Sequence, residues 1–266
     1  MEKCAYLGPC GSYSHLAATK MRPQDELSAY GNFRSVMNAV ETGECDCAVI
    51  PIENTLNGGV LQNIDLLHAA EGLVAVEEMT LPLDHRLATL KGADRRGISR
   101  IYSHEQPLAQ CSGYLAKNFP NAQLIATSST SASLDMVASF TDAAIVGAHV
   151  KREGVTLSEE NIADGKNNFT HFLLIKRGTV EKTVHSSKIY FSVTCIHASG
   201  ALLDILEPMR AGGLNMTKIQ SRPIKDRTGE YRFFIEVEGD YADGRVRKVL
   251  DKVKNSAKSF KLLGAY

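Results

Sequence analysis

The stretch KRGTVEKTVHSS, residues 176–187, marks the change of pattern on which the reading of the fold turns. It is polar and carries no apolar periodicity, so it reads as a linker. Before it, CAYLG (4–8), CAVIPI (47–52), LVAVEEMTL (73–81) and ISRIYSH (98–104) read as strands. Between them Phe33, Val36, Met37 and Val40 fall at helical spacing, and GGVLQNIDLLHAA (58–70), PLAQCSGYLAKNF (107–119) and TSASLDMVASF (130–140) continue the alternation as helices. Strands alternating with helices predict an α/β fold with mainly parallel sheets. After it, KIYFSVTCIH, GALLDILEPMRAGG, LNMTKIQSR, EYRFFIEVEGD, the apolar face Val246, Val249, Leu250 and Val253, and KSFKLLGA spell β-α-β-β-α-β, the α+β ferredoxin-like order. The predicted division is 1–177, a linker at 178–187, and 188–266.

The bulk numbers narrow the function. Thirty basic and thirty acidic residues cancel, so no overall field favours nucleic acid or an anionic membrane. MEKCAYLG has no signal-like apolar core and no run reaches a membrane span, so a cytoplasmic protein is expected. Cys45 and Cys47 lie too close for a CxxC site, and the remaining cysteines are scattered; reduced, mostly buried thiols are expected. The eight histidines lack metal-ligand spacing, and no metal is implied.

Polar residues cluster where apolar runs end. GPCGSYSHLAA (8–18) turns after a strand and starts a helix near Ser12 or Ser14; it reads as a cap or as an anion site. PIENTLNGGV (51–60) sets Glu53, Asn54, Thr55 and Asn57 at a strand's carboxyl end, the usual ligand side of a parallel sheet, although turn chemistry also favours Asn and Gly there. IYSHEQPLAQC (101–111) offers His104, SSTSAS (128–133) is a fourth strand-to-helix turn, and LPLDHRLATL (81–90) sets His85 and Arg86 on a crossover. Together these ends predict a cleft for a small, polar, anionic ligand.

The ordered set GPCGSYSHLAA, PIENTLNGGV, SHEQPLAQC, SSTSAS and NNFTHFLLI (167–175) resembles the motifs of the prephenate dehydratases. The second segment resembles an ACT regulatory domain, with GALLDIL at 200–206 and QSRP at 220–223. The resemblance implies a two-lobed, periplasmic-binding-protein-like catalytic domain, a homodimer or homotetramer, no cofactor, and conversion of prephenate to phenylpyruvate, water and carbon dioxide. It implies catalytic roles for Thr170, Ser12, Glu53 and Asn54, and substrate contacts from Thr55, Asn168, His171, Phe172, Ser103, Gln106 and Ser129. It also implies an allosteric site for L-phenylalanine near Gly200, Ala201, Leu202, Asn215, Gln220, Ser221 and Arg222.

Two positions depart from that pattern. His171 stands where the family has arginine, exchanging a two-pronged carboxylate grip for a single donor; Arg86 and Arg152 are candidates to compensate. Gln220 stands where glutamate precedes Ser-Arg-Pro, and retuned sensitivity to phenylalanine is expected. The His171 exchange keeps two further readings open: a prephenate decarboxylase or an enzyme of an altered cyclohexadienyl substrate, and a non-catalytic amino-acid-responsive binding protein.

Overall fold

Apolar strands with polar carboxyl ends build the first of two compact units. The computed structural model describes residues 1–165, 167–224 and 229–266. Unit 1 comprises Met1–Val36, Val49–Gly58 and Met79–Phe172; unit 2 comprises Met37–Ala48, Gly59–Glu78 and Leu173–Tyr266.

The chain begins with β1 (Lys3–Leu7), α1 (Tyr13–Met21), β2 (Glu26–Tyr30), α2 (Phe33–Thr42) and β3 (Cys47–Asn54). It continues through β4 (Gly58–Gly59), α3 (Leu61–Ala69), β5 (Leu73–Pro82) and β6 (His85–Leu90). Next come β7 (Arg100–Ser103), the short helices α4 (Glu105–Gln110) and α5 (Ser112–Asn118), β8 (Gln123–Ala126), β9 (Asp142–Gly147), β10 (Val155–Leu157) and β11 (Phe169–Arg177).

In unit 1, β1 pairs in parallel with β2, and β3 and β11 follow in the order β2-β1-β3-β11. A separate sheet has the order β10-β6-β9-β7-β8. There β7 is parallel to β8 and β9, but β6 is antiparallel to both β9 and β10. The expectation of mainly parallel pairing is therefore corrected for this sheet.

The helix expected over 130–140 is also corrected: it is a 3-10 turn at Ala132–Met136. Serine hydroxyls compete with the helical ladder here. Ser129 Oγ accepts from Ala132 N–H at 3.0 Å, and Ser133 Oγ donates to Thr130 O at 2.6 Å.

Unit 2 holds the predicted β-α-β-β-α-β order: β12 (Lys188–Thr194), α6 (Ala201–Ala211), β13 (Met216–Pro223), β14 (Tyr231–Glu238), α7 (Gly244–Ser256) and β15 (Ser259–Ala265). The strand order is β13-β14-β12-β15, with β14 and β15 antiparallel to β12. Its core gathers Ile189, Phe191, Ile235 and Val237 from the strands with Ile205, Met209, Leu250 and Val253 from the helices. Gly264 pairs with Ala75 so closely that an added Cβ would lie 2.6 Å from the Ala75 Cβ, which restricts this position to glycine. Among the described residues, no helix is long and apolar enough to cross a membrane.

Candidate active site

The turn before α1 is built from its own sequence. Gly11 takes φ +83°, a conformation that glycine adopts without a Cβ clash, and Ser12 caps the helix. Ser12 Oγ accepts from His15 N–H at 3.2 Å and donates to Leu7 O at 3.2 Å. The exposed sides of Ser12, Gln106 and Ser129 meet around one cavity of about 280 Å³, with His104 and His149 on its wall. A broader groove of about 770 Å³ shares His104 and Gln106 with that cavity and adds Asn57, Gln110 and Asp164.

Beside the groove runs a buried chain of amides. Asn54, at the end of β3, shares the two N–H bonds of its Nδ2 among Asn168 Oδ1 (2.9 Å), Phe169 O (3.0 Å) and Thr170 Oγ1 (3.1 Å). Its Oδ1 accepts from Leu56 N–H and Asn57 N–H, both at 3.1 Å, and from Asn57 Nδ2 at 2.8 Å. Backbone groups at both ends thus dictate which way the Asn54 amide faces. That direction propagates. Asn168 Oδ1 must accept, so its Nδ2 donates to Gln110 Oε1 at 3.0 Å. Gln110 Oε1 must accept as well, so His85 Nε2, 2.8 Å away, carries the proton.

Asn54, Asn168, Thr170 and His85 are 7%, 2%, 8% and 1% exposed, so the chain is shielded from water at nearly every link. Burial lowers the His85 pKa and keeps the ring neutral, in agreement with the tautomer that the chain demands. Tyr13 packs edge-on against His85, ring centroids 6.2 Å apart, and donates its hydroxyl to Asp84 O at 2.8 Å. Burial raises the Tyr13 pKa, which keeps that hydroxyl protonated. Cys111, next to Gln110, is buried and its thiol is pushed up to about 12, chiefly by burial, so it carries no nucleophile at neutral pH.

The other expected residues take varied places. Thr55 is exposed; its Oγ1 accepts from Phe169 N–H at 2.9 Å and donates to Asn167 O at 3.0 Å, tying the loop after β3 to the start of β11. Ser103 is fully buried and donates to Ile145 O at 2.9 Å. Phe172 is 1% exposed, in the core. Glu53 is half-buried.

His171 and Thr170 are consecutive strand residues, so their side chains leave opposite faces of β11. His171 Nδ1 lies 2.9 Å from Thr80 Oγ1 on its own face. Both candidate compensating arginines are already engaged. Arg86 grips both oxygens of Asp84, each at 2.6 Å, and Arg152 pairs with Asp135 at 2.6 Å.

In unit 2, Gly200 caps α6 and Ala201 and Leu202 form its first turn. Asn215 donates to Glu238 Oε2 at 3.0 Å. Gln220, Ser221 and Arg222 lie on β13, which stands last in its strand order. Gln220 Nε2 donates to Ser221 O at 3.1 Å, and Arg222 grips both carboxylate oxygens of Asp65 on α3.

Sequence reasoning missed Gln110 as a member of the site and did not link His85 to it. Gln110 had a weak signal, a single amide in the apolar run PLAQC; His85 was noted on the crossover LPLDHRLATL but given no role.

A family model described as prephenate dehydratase matches residues 4–180. The bifunctional chorismate mutase/prephenate dehydratase of Enterobacter agglomerans is 36% identical over 99% of this chain and 70% of its own length. The prephenate dehydratase of Amycolatopsis methanolica is 32% identical over 100% of this chain and 88% of its own. The crystal structure of prephenate dehydratase from Arthrobacter aurescens in complex with L-phenylalanine superposes with a TM-score of 0.88 at 28% identity, covering 99% of this chain and 90% of that one. Matched by that family model over about two thirds of its length and by relatives along nearly all of it, the chain belongs to the prephenate dehydratase family.

Proposed function

We propose that this protein converts prephenate to phenylpyruvate, water and carbon dioxide for phenylalanine synthesis, and that L-phenylalanine restrains it through its C-terminal segment. In this reading residues 1–177 are the two-lobed, periplasmic-binding-protein-like catalytic domain. Residues 178–187 are the linker and 188–266 the ACT regulatory domain, and the chain works as a homodimer or homotetramer. The bond from ring to carboxylate breaks, and its electron pair enters the ring. The bond from the opposite ring carbon to oxygen breaks, and that oxygen takes up a proton from solvent and leaves as water. Aromatisation drives the step, and the difficulty is the poor leaving group.

The observation that carries this reading is the bond from Asn54 Nδ2 to Thr170 Oγ1. Because Oγ1 accepts there, the threonine's own proton is free to point at a departing oxygen. A hydroxyl that accepts a hydrogen bond is also a stronger donor. Thr170 is too weak an acid to give up its proton outright, so its role is a fixed hydrogen bond to developing charge. Asn54 and Asn168 hold it, and Ser12, Gln106 and Ser129 contact the polar groups of the substrate. For regulation, the L-phenylalanine bound in the Arthrobacter aurescens structure supports the same ligand here.

Simultaneous measurement of carbon dioxide and phenylpyruvate from prephenate tests the proposal. Equal molar release is expected. Carbon dioxide without phenylpyruvate assigns the chain to the decarboxylases, the reading that His171 in place of arginine favours. Neither product assigns it to non-catalytic binding.

A further inference from the structure

A cavity of about 360 Å³ in unit 2 is lined by none of the candidate site residues discussed so far. Its floor is apolar: Leu250, Phe260 and Leu262. Phe260 stacks on the fully buried Phe191, ring centroids 5.2 Å apart at 24°, so the floor is backed by the core of the domain. Its rim is cationic. Lys182 comes from the segment before β12, and Arg247 and Lys254 come from one face of α7. Arg247 Nη1 donates to Tyr241 O at 2.6 Å and Lys182 O at 2.9 Å, which orients the guanidinium without neutralising it. Asp251, between the two α7 cations at i+4 and i−3, is the single carboxylate of the lining among the described residues. Three cations against one carboxylate leave an anion-attracting rim over an apolar floor.

We infer that this cavity is a ligand site for a small organic carboxylate with an apolar body of about the size of a phenyl ring. The volume falls within the range of small-molecule sites, about 300–1,000 Å³. The floor accepts the hydrocarbon part, and Lys182, Arg247 and Lys254 hold the carboxylate. An occupant ties the 178–187 segment to α7. No residue of the cavity belongs to the set proposed for phenylalanine, so the site holds whether or not that set binds it.

Isothermal titration of the full chain with 3-phenylpropanoate tests the assignment. The wild type should bind with a dissociation constant on the order of a millimolar, as expected for a ligand of that size. The Lys182→Gln/Lys254→Gln double variant, altered only at exposed side chains, should bind at least about fivefold more weakly, consistent with the loss of charged hydrogen bonds. Its melting temperature should be unchanged. Equal affinity in wild type and variant overturns the proposal, as does an absence of binding to the wild type. Displacement by an equal concentration of inorganic phosphate overturns the apolar half of it.

Discussion

Asn54 Nδ2 donates to Thr170 Oγ1 across 3.1 Å, although 116 residues of sequence separate them. The contact joins the end of β3 to the start of β11 and gives the threonine hydroxyl a direction. The remaining bonds of the amide chain keep the Asn54 side chain from turning.

Replacing Asn54 by aspartate keeps the shape and removes the donor. Three acceptors then face a carboxylate oxygen in a buried place. The expected cost is roughly 2–3 kcal/mol of stability, with kcat lower by about a hundredfold or more. Denaturant melts beside steady-state kinetics with prephenate check this. A variant with wild-type stability and turnover contradicts the directed chain.

His85 and Gln110 supply the far end of that chain. His85→Phe removes the Nε2 donor at similar ring size and leaves Gln110 Oε1 short of one partner. The expected effect is a loss of kcat of about tenfold, with KM changed less, since His85 acts through Gln110 and Asn168. A selective rise in KM argues instead for direct substrate contact.

His171 and Thr170 face apart, and Thr80 already partners the imidazole. His171→Arg should therefore change KM for prephenate by less than about threefold, short of what one charged hydrogen bond is worth. A tenfold drop in KM shows that an arginine at this position reaches the substrate.

Burial, with the charges of Arg232 and Lys261 beside it, lowers the His68 pKa from its ordinary 6.5 to about 4. His68 Nδ1 lies 2.9 Å from Ser192 Oγ. Between pH 6.5 and 4 the unfolded chain binds this proton more readily than the folded one. Stability is thus full above pH 6.5 and falls as pH drops toward 4, by on the order of 1 kcal/mol once solvent access is allowed for. In melting scans at pH 7.5 and 4.5, His68→Gln should lose less than the wild type. Parallel losses rule out the histidine as a source.

Asp65 joins α3 to the proposed phenylalanine strand through Arg222. Asp65→Asn should leave turnover without phenylalanine within about twofold and move the half-inhibitory phenylalanine concentration by about threefold or more, the scale of a pair worth about 1 kcal/mol. An unchanged inhibition curve removes the contact from the regulatory path.

Much of the fold was legible in local pattern. Tyr231, Phe233, Ile235 and Val237 fall on one strand as their spacing requires, although Phe234 and Glu236 between them are buried as well, and the helix faces at Val36–Val40 and Val246–Val253 keep their spacing. The strands that escaped notice were β2, β4, β6, β8 and β10, and β4 lies inside the helix expected over 58–70. β2 and β8 carry too many exposed or half-exposed residues to stand out as apolar runs. β10 is only three residues long. Candidate residues at strand ends were legible for the same reason, since a polar cluster after an apolar run stands out. What was not legible is who meets whom. Gln110 reaches Asn168 across 58 residues and His85 across 25, and no local periodicity encodes those pairings. Nor did the resemblance foretell that His171 finds Thr80, a contact that follows from strand alternation and from β5.

Turnover of prephenate by Thr170→Val is the most direct test of the account. Valine keeps the branched shape and removes only the hydroxyl. The account predicts that phenylpyruvate formation falls at least about a hundredfold with KM little changed, the behaviour of a group that acts on the transition state. Phenylpyruvate formed at the wild-type rate by Thr170→Val would contradict it.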